Sequence, residues 1–132
     1  MTYGLWERIH GHLALIALIL VLHPVVTLPA DRVWTRRTAI LAALALGVPF
    51  ALGGWIYPEY GAEVKPGLHP FLRAGFEVKE HLAALALAAV GSGAVAAQGG
   101  DDARKLARHL LFAGWCCGFI AGLLGLWVAG RP

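Results

Sequence analysis

The chain has 132 residues, 58% hydrophobic and 14% charged, with a formal net charge of +3 and a mean hydropathy of +0.66. A soluble domain of this length carries about 25% charged residues, and here the apolar residues gather into four blocks of spanning length, so the composition excludes a soluble fold and predicts one integral membrane domain, residues 1–132. Basic residues at the loops and helix ends of such a protein set its orientation and meet lipid headgroups, which leaves nucleic acid without support as a partner.

The first predicted span covers residues 5–28 and ends at Pro29. It carries His12 and His23 inside an apolar run, with His10 two residues earlier than His12. Eleven residues at 100° each return to within about 20° of the start, so His12 and His23 share a face, about 16.5 Å apart, with Ile16 and Ile19 between them. His10 points to another face. The run is too long, and Leu28-Pro29-Ala30 too poor a cleavage site, for a signal peptide.

The second span, 36–57, follows Thr35-Arg36-Arg37-Thr38 and is expected to stop at Pro58. The connection from Tyr57 to Lys65 reads as an ordered loop, because its prolines and aromatics limit its freedom. The third span, 71–97, opens with Glu77-Val-Lys79-Glu80-His81 and continues the His81 face through Ala84, Ala88 and Ser92. The fourth, 103–129, follows Asp101-Asp102 as a capping pair and carries His109 above Ala113 and Cys116. It also carries Gly114, Gly118 and Gly122, a spacing that lets helices pack closely and would equally clear room for a flat macrocycle. Cys116 and Cys117 are adjacent, point about 100° apart and read as small apolar fillers. No Cys-x-x-Cys-His occurs, which excludes covalent haem attachment.

Four spans put both termini on one side of the membrane, the terminal side, with the Tyr57–Lys79 connection. The other side, the loop side, holds the two short connections with Arg32, Arg36, Arg37, Arg104, Lys105 and Arg108. The terminal side has Arg8, Lys65, Arg73, Lys79 and Arg131, matched by five glutamates. The bias of basic residues towards the cytoplasm then predicts periplasmic termini in a bacterial inner membrane. An aromatic belt of Tyr3, Trp6, Trp55, Tyr57, Tyr60 and Trp127 is expected on the terminal side, with Trp34 opposite.

An imidazole inside a lipid-spanning helix is costly without a partner. Antiparallel spans bring His81 to the depth of His12, and His109 to the depth of His23. Two facing stripes of small residues leave a slot, and iron with two axial imidazoles suits electron transfer because no position stays open. The expectation is two haems b, ligated by His12 with His81 and by His23 with His109, with Arg8, Arg73, Arg36 and Arg108 near the propionates. Glu77 and Glu80 mark a quinone or proton site on the terminal side. In His12, His23, His81 and His109 the chain resembles the bis-histidine transmembrane b-type cytochromes, four-helix modules of respiratory complexes, although its eleven-residue spacing is shorter than theirs. The resemblance implies an electron carrier between the quinone pool and a redox partner or a second copy, rather than a stand-alone enzyme. No Ser/His/Asp set, phosphate loop or His-Glu-x-x-His is present. The competing expectation is a non-haem four-helix accessory or metal-handling membrane subunit with interfacial histidines.

Overall fold

The computed structural model describes residues 3–27 and 32–129. Its four α-helices are α1 (Tyr3–Thr27), α2 (Arg32–Glu63), α3 (Pro70–Ala96) and α4 (Asp101–Ala129), with a 3-10 turn over Lys65–Gly67 between α2 and α3. Among the described residues there is no strand, and all four helices are long and apolar enough to cross a membrane. The protein is an all-α four-helix bundle with the character of an integral membrane protein. Leu28, Pro29 and Arg131 lie outside the described residues.

The expected stop at Pro58 does not occur. A proline inside a helix removes one backbone bond and crowds the preceding turn, at a cost of about 3 kcal/mol. Here the following turn is held by tertiary contact. Tyr60, only 6% exposed, stacks on Phe76 of α3 with ring centroids 4.3 Å apart, and Val64 N–H donates to the Tyr60 carbonyl at 3.0 Å. Burying an aromatic ring contributes about 1.5–3 kcal/mol, enough to carry the helix past the proline. The loop expected from Tyr57 to Lys65 is therefore mostly helix, and Tyr60 belongs to the interior rather than to an aromatic belt.

The starts of α3 and α4 also differ from expectation. The His69 Nδ1 accepts from the Phe71 N–H at 3.4 Å and Pro70 occupies the first turn, so the helix begins one residue before the predicted start. Asp101 and Asp102 sit in the first turn of α4, paired with Arg104 and Lys105 three residues on. Acidic residues there meet the positive end of the helix dipole.

Contacts at the terminal side set the up-and-down order. Trp6 near the start of α1 meets Trp55 late in α2 at 5.2 Å. Phe76 early in α3 meets Tyr60, and Phe71 meets Trp127 at the end of α4 at 5.4 Å. The tightest seam is α3 against α4. A Cβ at Gly114 would stand 2.6 Å from Val90 Cγ2 and 3.0 Å from the Ala86 carbonyl oxygen, and one at Gly93 would stand 2.9 Å from Leu111 Cγ. Gly118 admits Leu18 of α1 in the same way, at 2.6 Å. The glycine stripe of α4 is used for helix packing. The interior is filled by small and branched residues: Ala17, Val21, Ala39, Ala42, Leu46, Ala86, Val90, Ala94, Ala107 and Leu111. Large apolar side chains such as Ile19, Leu44, Val95 and Leu126 are 61–75% exposed on the outside. A chain that is apolar on both its inner and outer faces is built for lipid.

Candidate functional site

All four candidate ligands, His12, His23, His81 and His109, are exposed on outward helix faces. Three are held alike. The Nδ1 of His12 lies 2.7 Å from the Arg8 carbonyl, that of His81 2.7 Å from the Glu77 carbonyl, and that of His109 2.8 Å from the Lys105 carbonyl. Each bond joins residues four apart, so the helix itself orients the ring. Since a carbonyl only accepts, Nδ1 is the donor, and the second nitrogen has no hydrogen-bond partner among the described residues. Metal-ligating imidazoles are oriented in this way by a carbonyl on the other nitrogen.

Depth and face can be separated. Leu18 of α1 and Ala86 of α3 both lie at the level of Gly118 in α4. His12 precedes Leu18 by six residues and His81 precedes Ala86 by five, about 9 and 7.5 Å towards the terminal side at 1.5 Å per residue. Those two histidines share a level. His23 lies five residues beyond Leu18 and His109 nine before Gly118, which leaves that pair out of step by about one helical turn. The faces do not meet in either pair. Ala86 faces α4, and His81 lies roughly 140° around α3 from it. Ala84, Ala88 and Ser92, beside His81, are exposed with it, as is Ala113 beside His109, while Cys116 and Cys117 are half-buried.

A haem clamped between His12 and His81, or between His23 and His109, inside one bundle does not fit this packing. The interior is occupied, and the stripes of small residues face outward instead of facing each other. Each imidazole does fit as a single axial ligand presented to a neighbour, with small side chains beside His81 to admit a flat ring.

Of the arginines expected near propionates, Arg8, Arg73 and Arg108 are exposed and Arg36 is half-buried. Arg73 donates to the Lys65 carbonyl at 3.1 Å and Arg36 to the Gly99 carbonyl at 3.4 Å. Glu77 is exposed and pairs with Lys65 at 3.3 Å, whereas Glu80 is half-buried with Lys65 and Lys79 among its charged neighbours.

One polar cluster escapes a reading by spacing alone. His10 turns inward against α2, where a Cβ at Gly53 would stand 3.0 Å from its ring, and its Nδ1 is buried without a partner. Lys79 is half-buried with its ammonium 4.4 Å from the centre of the Phe76 ring, a cation–π contact, and Glu7 and Glu80 act on it. Three helices thus converge on Glu7, His10, Tyr60, Lys79 and Glu80. The sequence carries little signal for it, since His10 and Lys79 lie in the polar segments Glu7-Arg8-Ile9-His10 and Glu77-Val78-Lys79-Glu80. Among the described residues, no three His, Cys, Asp or Glu side chains come together as a metal site.

Two open grooves lie at the terminal side. One of 380 Å³ is lined by Phe71, Ala74, Gly75, Val78, Leu124 and Trp127. The other, of 340 Å³, is lined by His69, Phe71, Leu72 and Trp127. Neither includes a candidate haem ligand. Comparison with protein families, with curated proteins and with solved structures found no match for this chain.

Proposed function

We propose that this chain is a membrane electron-transfer subunit that binds two haems b through His12, His23, His81 and His109 and moves electrons between the quinone pool and a redox partner. The observation that carries the reading is the common posture of His12, His81 and His109, each anchored through Nδ1 to its own helix and offering its other nitrogen to lipid. An acceptor nitrogen facing hydrocarbon is costly unless something covers it. Bound by these histidines, haem b would supply a one-electron couple.

Because the paired faces do not meet within one chain, the second imidazole comes from a neighbour. Copies with the same orientation in the membrane keep equal depths, so His12 of one copy and His81 of the next stand at one level, while the His23–His109 pair requires a neighbour offset by about one helical turn. Arg8 and Arg73 on the terminal side, with Arg36 and Arg108 on the loop side, are the cations nearest the propionates. Glu77 and Glu80, beside His81, are the candidate quinone or proton site. The excess of basic residues on the loop side supports a cytoplasmic location for it, with both termini periplasmic in a bacterial inner membrane.

Purified protein is tested by pyridine haemochrome assay, with reduced spectra recorded with and without carbon monoxide. The expected result is a low-spin spectrum that carbon monoxide leaves nearly unchanged. His12→Ala and His81→Ala should remove one half of the haem and His23→Ala and His109→Ala the other, with His10→Ala and His69→Ala leaving both. Colourless protein from cells with ample haem would sink this reading. It would bring forward a non-haem accessory or metal-handling subunit with interfacial histidines, which the filled bundle interior favours.

A further inference from the structure

At the loop side, two guanidinium groups from different helices converge on one backbone oxygen. Arg36 Nη2 of α2 and Arg104 Nη1 of α4 each lie 3.4 Å from the Gly99 carbonyl. Gln98 ties the same segment together, donating to the Arg36 carbonyl at 3.3 Å and to the Ala94 carbonyl at 3.0 Å. The positions of both cations are therefore set by the bundle rather than by free side-chain motion. Arg104, whose side chain is 17% exposed, is neutralised by Asp101. Arg36 has no carboxylate among the described residues, and its Nε is buried without a hydrogen-bond partner. Lys105 is paired with Asp102, and exposed Arg37 and Arg108 have no ion pair among the described residues.

With Arg104 paired to Asp101, Arg36 carries the uncompensated charge of the pair, and an oxyanion beside the Gly99 carbonyl would take that charge together with donors from both guanidinium groups. A guanidinium offers its donors as a planar fork that matches phosphate geometry. The depth agrees, since Arg36 and Arg104 stand one turn inside helix starts at a membrane end where Trp34 is 65% exposed. Headgroup phosphates occupy this zone, and basic pockets between transmembrane helices hold anionic lipid headgroups. We infer that Arg36 and Arg104 form a phosphate-binding site between α2 and α4, occupied by the headgroup of an anionic phospholipid. Arg36 is also a candidate propionate partner, but lipid retention and haem content are separate readouts, so either reading can fail alone.

The test uses the full chain in neutral detergent, titrated with phosphatidylglycerol, phosphatidylcholine or inorganic phosphate. Bound lipid is counted by native mass spectrometry, and thermal stability is followed in parallel. One phosphatidylglycerol should be retained in preference to phosphatidylcholine and should raise the melting temperature. Arg36→Gln should weaken that retention by about fivefold to tenfold, and Arg36→Lys should restore only part of it, since a point charge lacks the fork. Arg37→Gln removes the same charge one residue away and should change retention by less than about twofold. If inorganic phosphate alone reproduces the stabilisation, the oxyanion site stands and its ligand is a soluble anion. Equal retention of both lipids by the wild-type protein would overturn the proposal, as would equal losses in Arg36→Gln and Arg37→Gln. Should Arg36→Gln fail to fold, the wild-type lipid preference and the Arg36→Lys variant still decide.

Discussion

Single residues set how closely the helices approach, and glycine carries most of that information. At Gly114 a methyl group would meet both a branched side chain and the backbone of α3, neither of which can swing aside. Gly114→Ala should destabilise the bundle by about 1–3 kcal/mol through overpacking. At Gly47 nothing lies within 4 Å, so Gly47→Ala should be neutral or stabilising by up to about 1 kcal/mol. Reversible unfolding in mixed micelles separates the two, and equal effects would mean that the α3–α4 seam is looser than described. A second bond of this scale joins α4 to α1, where the Trp115 indole N–H donates to the Leu18 carbonyl at 3.1 Å. Trp115→Phe keeps most of the ring and should cost about 0.5–1.5 kcal/mol in the same assay. No measurable loss would show that the bond contributes nothing.

At the scale of elements, the end of α2 depends on α3. Residues after Pro58 stay helical because Tyr60 is buried on Phe76, with Tyr57 stacked further out at 6.4 Å. Tyr60→Ala should raise amide hydrogen exchange across 59–68 while leaving the middle of α2 protected. Unchanged exchange would mean that the turn past the proline holds itself. The connection is also pinned by Lys65, which reaches Glu77 at 3.3 Å and the Tyr57 hydroxyl at 3.4 Å. Those partners, Glu77 first, hold its ammonium above the ordinary value of 10.5. A group whose folded pKa is raised contributes stability below its unfolded pKa and loses it as pH rises through the folded one. The stability difference between wild type and Lys65→Gln should therefore be level up to about pH 10 and shrink above it. A difference that grows with pH would reverse the assignment.

For the whole molecule, orientation in the membrane follows from charge. The loop side holds six basic residues against five on the terminal side, where five glutamates offset them. On the orientation proposed above, in a chain with Cys116 and Cys117 replaced by serine, Thr2→Cys should react with an impermeant thiol reagent in intact cells and Ala103→Cys should not. The reverse pattern would exchange the two sides. It would leave the bundle and the Arg36–Arg104 site intact, because both rest on contacts rather than on orientation.

Much of this architecture is legible in the order of residues. Four apolar runs of spanning length dictate four helices, since a backbone in hydrocarbon must satisfy its own hydrogen bonds. The spacing of Gly114 and Gly118 foretells a close seam, and helical periodicity puts His12 and His23 on one face, with His10 on another. Tertiary structure alone decides which face turns inward. In a soluble bundle the hydrophobic effect would answer that, but a lipid-facing side and a packed interior are both apolar, so periodicity cannot tell them apart. Small residues beside His81 and His109 therefore look in sequence like the walls of a slot, and in the fold they lie outside, because Gly93, Val90 and Ala86 make the closer seam with α4. The same ambiguity hides His10, whose inward placement depends on α2 supplying Gly53 from a distant part of the chain. The helix past Pro58 is likewise decided by a contact, Tyr60 on Phe76, that local propensity does not contain.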